Sequence, residues 1–330
     1  MSKRHLVAIV LSTLSIFLQA CSSATPTPAT ATKQTTNANP AAATMAPTTQ
    51  ATSSVAGKTL TIGEIASSPS ATIPKFQPLA DYLAASLADA GYTAGAVKIA
   101  PDFDTMIKWL KKDEIDLIFD SPYPAMIEVD QAGVKPILRR WKGGVAIYST
   151  ILFARTDSNI QSIGDLKGKM LALEEPTSTS GYMLPKAYLA AAGLQIVEKP
   201  SVDAPVASNE VGYIFVRPDN DVDIIQWVLS GKTPAGAVNS TTFNAFSADG
   251  KKTLVVLGET EAVPRHIAMV RSDLESSVVD SIKATLLKMD STSAGQAILT
   301  QFEKTTKFDE FPDGAAAALA RMRELYKLTQ

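Results

Sequence analysis

Met170-Leu171-Ala172-Leu173 runs into Glu174-Glu175-Pro176-Thr177-Ser178-Thr179-Ser180-Gly181, and helical spacing follows from about Tyr182 to Ala192. A short apolar run, a polar loop and a helix make the strand–loop–helix unit of a parallel α/β layer, whose ligands meet the carboxyl ends of the strands. The run of hydroxyls exceeds what capping requires. Free N–H groups and the macrodipole favour an anion at such a helix start, and hydroxyls add donors for a tetrahedral oxyanion. The alternative is a plain Ser/Thr N-cap with turn residues. Pro185 falls in or just past the first turn, which permits the helix to begin later than Tyr182.

The same alternation extends in both directions. Upstream, Leu60-Thr61-Ile62-Gly63 reads as a strand, Ser67 to Thr72 as a polar loop, and Phe76, Leu79, Leu83 and Leu87 fall at helical spacing. A strand at Val97-Ile99, a helix carrying Met106, Ile107, Trp109 and Leu110, and a strand at Leu117-Ile118-Phe119 follow, ending in Asp120-Ser121-Pro122-Tyr123. Downstream, strand Tyr213 to Val216 leads through Arg217-Pro218-Asp219-Asn220-Asp221 into a helix from about Val222 to Leu229, then strand Ala235 to Val238 and Asn239-Ser240. The helix–strand unit from Met106 to Ser121 is echoed from Ile224 to Ser240, which argues for two lobes of like design.

At 330 residues the chain exceeds one ordinary domain. Its net charge of −2 offers no basic excess for a nucleic-acid backbone. One Cys and two His exclude disulfide frameworks and Cys/His zinc sites. A basic start, the apolar run Leu6 to Phe17 and Leu18-Gln19-Ala20 before Cys21 read as a signal peptide over residues 1–20, too short to span a membrane. The only Cys stands where cleavage exposes it, an arrangement resembling the bacterial lipobox, so Cys21 is expected to carry lipid. From there to residue 57 the chain is Ala, Thr, Pro, Ser, Asn and Gln with Lys33 its only charge, which makes a tether without a core.

Other candidates lie beside the first. Ser68 belongs to a second hydroxyl cluster ahead of a helix, or to a plain polar loop. Asp120, Ser121 and Tyr123 end a strand where a cleft falls, or serve turn chemistry with Pro122 and Pro124. Carboxylates at Asp120, Glu174, Glu175, Asp219 and Asp221 would repel a bare anion, so either they point away or the ligand also carries a cationic group. Arg139-Arg140-Trp141-Lys142 reads as a solvated face, or else steers anions to a cleft. His266, the only His of the mature chain, reads as a hydrogen-bonded structural residue, with ligand contact next. Neither a GxSxG elbow nor a phosphate-binding P-loop is present, and nothing calls for a cofactor or metal.

Together these residues resemble the phosphate/phosphite/phosphonate-binding proteins of bacterial ABC importers, within the type II periplasmic binding protein fold. The carriers are Leu60-Thr61-Ile62-Gly63, Phe76 to Leu83, Ile115 to Phe119, Tyr148-Ser149, Asp157-Ser158, Asp165-Leu166-Lys167-Gly168-Lys169 and above all Pro176 to Gly181 with Pro185. The resemblance implies two α/β lobes, each a mostly parallel sheet flanked by helices, joined by a two-segment hinge. Residues 58–147 with 262–330 are expected to form lobe 1, and residues 148–261 lobe 2. It further implies that Ser178, Thr179 and Ser180 hold the oxyanion and that the strand end at Asp120-Ser121 lines the site; Thr177, Ser68, Tyr123, Asp221 and His266 are expected from their positions as further contacts. The expected function is solute binding for an ABC permease by a lipid-anchored, extracytoplasmic monomer that is not an enzyme. A binding protein for another solute, or a sensor partner of a receptor kinase, shares these features.

Overall fold

The computed structural model describes residues 57–216 and 221–330. Cys21, the signal segment, the tether up to residue 56 and the Arg217–Asn220 part of the second acidic loop lie outside the described residues. Strands β1 (Lys58–Ile65), β2 (Tyr92–Ala100), β3 (Leu117–Asp120) and β4 (Lys135–Arg140) open the fold, and β5 (Ile147–Tyr148) leads to β6 (Thr150–Arg155). Next come β7 (Met170–Leu173), β8 (Gln195–Glu198), β9 (Glu210–Phe215), β10 (Ala235–Asn239) and β11 (Leu254–Glu259). Finally β12 (Val263–Pro264) returns the chain to β13 (His266–Val270) and β14 (Phe308–Asp309).

These form two six-stranded sheets, ordered β14-β4-β13-β3-β1-β2 and β11-β6-β10-β7-β9-β8, with β5 and β12 paired apart from both. The first sheet therefore takes strands from both ends of the described chain. Parallel pairing is confined to β1 with β2 and β3, and to β7, β8, β9 and β10 among themselves. β13 and β6, which the chain reaches after passing between sheets, pair antiparallel with their neighbours. The echoed units occupy matching places: β3 lies between antiparallel β13 and parallel β1, and β10 between antiparallel β6 and parallel β7.

Apolar runs such as Leu117-Ile118-Phe119 suit strands covered on both faces. Leu117 and Phe119 pack with Phe76, Leu79 and Phe302 on one side, whereas Ile118 packs with Met106, Met126 and Leu184 on the other. In the second sheet Leu152 and Ala154 face Leu166 and Leu189, and Ile151 and Phe153 face Ile225 and Phe243. The helix Pro69–Ser86 buries Phe76, Leu79 and Leu83, at the expected spacing, together with Ala80 and Ala84. It lies almost in backbone contact with β2: a Cβ on Gly95 would fall 2.2 Å from the carbonyl carbon of Ala80. Gly95→Ala must separate helix and strand, and is expected to cost about 1–3 kcal/mol in urea unfolding. An unchanged midpoint would show that the two elements part freely.

One sequence expectation is corrected. Arg139-Arg140-Trp141-Lys142 is not a solvated face: Arg140 is fully buried, Arg139 forks onto Asp309 at 2.8 and 2.6 Å, and Lys142 turns inward to Glu303 at 2.9 Å. β4 lies inside the sheet between β13 and β14, with Lys135 exposed at its start and Arg140 buried at its end. Specific partners offset part of the cost of burial, although one terminal nitrogen of Arg140 has no hydrogen-bond partner among the described residues.

Candidate functional site

Where β7 ends, the loop closes on itself: Glu174 N–H donates to the Gly181 carbonyl (2.9 Å) and Ser178 N–H to that of Glu175 (3.0 Å). Pro185 has no N–H for the carbonyl one helical turn back, and that carbonyl serves Glu174 instead. The helix accordingly opens with a π-helical turn, Thr179–Met183, before the α-helix Leu184–Ala191, a feature frequent at functional sites. Gly181 is required because a Cβ there would fall 2.3 Å from that of Glu174.

The hydroxyls of this element are already engaged. Ser178 Oγ accepts from Gly181 N–H at 2.9 Å and donates to Glu174. Thr179 Oγ1 accepts from Tyr123 N–H (2.9 Å) and donates to Ser121 Oγ (2.8 Å), which ties the second sheet's loop to the helix Pro122–Ala132 of the first. Pro122 and Pro124 have no N–H, so with Tyr123 N–H given to Thr179 that helix keeps few amides to offer a ligand. Ser180 lies within hydrogen-bond reach of the buried Tyr148 phenol, and its carbonyl accepts from Thr150 Oγ1 at 2.6 Å.

Between the ends of the two sheets lies a polar cavity of about 230 Å³. Of the candidates read from sequence, Asp120, Ser121, Thr177, Ser178, Ser180, Asp221 and His266 line it. Thr179 and Tyr123 are buried behind the wall, Tyr123 packing on Tyr326 with ring centroids 5.6 Å apart. Ser68 is exposed at the start of Pro69–Ser86 and is not part of the lining. Sequence reading did not assign Glu64, Tyr148, Asn239 or Arg265 to the wall, and gave Lys142 to solvent. The one available signal was Arg265-His266 standing just before the apolar run Ile267–Val270, the polar start of a buried strand.

Burial governs the charges. It pushes Asp120 up to about 7 and Glu64 well above the usual carboxylate range. Asp221 is raised by burial too, although its carboxylate accepts from Asn239 and from Thr242 Oγ1 at 3.2 Å. Lys142 is lowered by burial, and its ammonium, with Arg140, holds Glu303 down at about 2 against burial's opposite pull. His266 is held well below the usual imidazole range, by burial first and then by Lys142, Arg265 and Arg140. Its Nδ1 is buried without a partner among the described residues. Asp120, Glu174, Glu175 and Asp221 thus do line the cavity, joined by Glu64, and burial raises Asp120, Asp221 and Glu64 above the usual carboxylate range.

Paired α/β sheets that present strand ends to one polar cavity define a two-lobed solute-binding protein of the type II periplasmic binding fold. A family profile described as ABC transporter, phosphonate, periplasmic substrate-binding protein matches residues 62–314, and the chain belongs to that family. Its members are solute-binding transporter components rather than enzymes, working outside the cytoplasm. Among solved structures, the Xanthomonas citri protein XAC2383 bound to ATP is 27% identical, with TM-score 0.73 over 82% of this chain and 97% of that one. PhnD1 from Prochlorococcus marinus in complex with methylphosphonate shares the fold at 16% identity and TM-score 0.59, covering 82% of this chain and 97% of its own. A Pseudomonas aeruginosa binding-protein component of an ABC phosphonate transporter does so at 19% identity and TM-score 0.55, with the same coverage. No helix among the described residues is long and apolar enough to cross a membrane.

Proposed function

We propose that the chain captures phosphate, phosphite or a phosphonate in the cavity between its sheets and delivers it to an ABC permease. The observation that carries this is the polar cavity whose wall brings the basic side chains Lys142 and Arg265 together with Thr177, Ser178 and Ser180. About 230 Å³ is below the roughly 300–1,000 Å³ of sites for drug-sized ligands, which favours a small solute over a nucleotide such as the one bound by the Xanthomonas citri protein. In this reading residues 58–147 with 262–330 and residues 148–261 are lobes that hinge at the β5 and β12 crossings and close on the ligand. The protein acts as a monomer, held at the membrane by lipid on Cys21 and free to range on its tether.

The carboxyls of Glu64, Asp120 and Asp221 on the same wall favour a second form of this reading, in which the ligand also carries an amine. A thermal-shift panel of phosphate, phosphite, methylphosphonate and 2-aminoethylphosphonate tests both. A ligand at 100 times its Kd adds about 2.7 kcal/mol, a rise on the order of 5–10 °C for a body of this size. A flat panel would overturn the phosphorus reading, and the largest shift with the aminated compound would favour the second form.

A further inference from the structure

We propose that Arg265 supplies the positive charge that neutralises the bound oxyanion, an inference that rests on the phosphorus-oxyanion reading and deepens it. An anion taken into a cavity walled by carboxyls needs a counter-charge, because an unpaired buried charge is costly. The described wall offers three basic side chains. Lys142 is spent: its ammonium lies 2.9 Å from Glu303, which Arg140 also engages at 3.0 Å. His266 is buried beside these cations, which together with burial keep its imidazole neutral. Arg265 makes no ion pair with a described residue. Its guanidinium rests 4.4 Å from the centre of the Tyr148 ring, which holds the plane on the cavity wall.

The position is set by pairing rather than by local sequence. Arg265 N–H donates to the Ala146 carbonyl (2.9 Å), and Pro264 and Val263 pair with Ile147 and Tyr148, so the β5–β12 ribbon carries both the guanidinium and the ring beneath it. Two hydroxyls of the Thr177–Gly181 element are already committed: Ser178 donates to Glu174 and Thr179 to Ser121. Ser121 Oγ accepts from Thr179 and lies within hydrogen-bond reach of the Asp120 carboxyl, so it is engaged as well. Arg265 therefore brings to the wall a charged planar fork that suits an oxyanion.

The test is calorimetry of the full soluble chain with phosphate, phosphite and methylphosphonate, using wild type, Arg265→Gln and Arg265→Lys. Wild type is expected to bind at least one of them. Arg265→Gln is expected to weaken that binding roughly 10- to 150-fold, the range for losing a hydrogen bond to a charged group, and Arg265→Lys to recover part of it by restoring charge without the fork. The unliganded melting temperatures of all three should agree within a few degrees, because the side chain is only half-buried. Should Arg265→Gln bind as wild type does, the assignment of Arg265 is overturned while the function stands. Should wild type bind none of the three and not 2-aminoethylphosphonate either, the functional reading falls and the assignment with it. If Arg265→Gln melts far below wild type, Arg265→Lys decides: affinity equal to wild type's overturns the fork, and a clear loss supports it.

Discussion

Arg140→Ala is expected to destabilise the protein by about 3–5 kcal/mol, the range for removing one partner of a buried ion pair. No part of the Arg140 side chain reaches solvent. Its Nε donates to Thr305 Oγ1 at 2.9 Å, and one terminal nitrogen donates to the Phe302 carbonyl at 3.1 Å and to Glu303 at 3.0 Å. The guanidinium lies 3.6 Å from the centre of the Phe302 ring, which itself packs edge-on against Phe76 and Phe119. Truncation leaves Glu303 with Lys142 alone, leaves the Thr305 hydroxyl short of a partner, and opens a cavity against the aromatic cluster. Urea unfolding checks the value, and a loss below about 1 kcal/mol would show that the site relaxes or admits water. The carboxyl of Glu303, held at about 2, contributes stability that is present above the ordinary carboxylate range and fades as pH falls toward 2. Arg140→Ala is therefore expected to flatten the acid limb of the stability curve as well as lower it.

Glu128→Met is expected to move stability the other way, by about 1–3 kcal/mol, the desolvation cost of an unsatisfied buried polar group. Glu128 sits fully buried in the helix Pro122–Ala132, and neither carboxyl oxygen has a partner among the described residues. Burial first, then the charges of Asp120 and Glu64, push its carboxyl well above the usual range, so the native state holds it protonated. Methionine has a similar length, needs no hydrogen bond and adapts to the neighbouring apolar surface. The sign with pH is fixed. A group raised in the native state stabilises below its unfolded pKa and loses that contribution as pH rises, so the advantage of Glu128→Met should widen from pH 5 to pH 8. Thermal unfolding across that window checks it. A lower melting temperature for the variant would overturn the reading of Glu128 as unpartnered.

Much of the architecture was legible from local pattern. The Leu117–Phe119 and Met170–Leu173 runs fall in strands at those positions, and the echo between the Met106 and Ile224 units corresponds to matching places in the two sheets. Boundaries moved where packing overrode propensity. β2 begins at Tyr92 rather than Val97, because the edge strand pairs along the whole of β1. The helix after the hydroxyl run is α-helical only from Leu184, as Pro185 allowed, with a π turn that no spacing foretold.

The site divides in the same way. Sequence by itself determined the alternation of strands and helices, the Thr177–Gly181 element at the end of a strand, and the polar ends at Asp120-Ser121 and Asn239 that became cavity wall. These are local properties, written in runs of neighbouring residues. The tertiary structure alone decided that Lys142 and Arg140 turn inward to Glu303, that Arg265 stacks on Tyr148 with no ion pair to a described residue, and that the hydroxyls of Ser178 and Thr179 are engaged within the protein. β13 returns from the far end of the chain to lie between β3 and β4, which sets His266 opposite Arg140 and Ile267 opposite Asp120. A charge reads as solvated until a strand from elsewhere covers it, and hydrogen bonds between residues distant in sequence leave no periodicity to find.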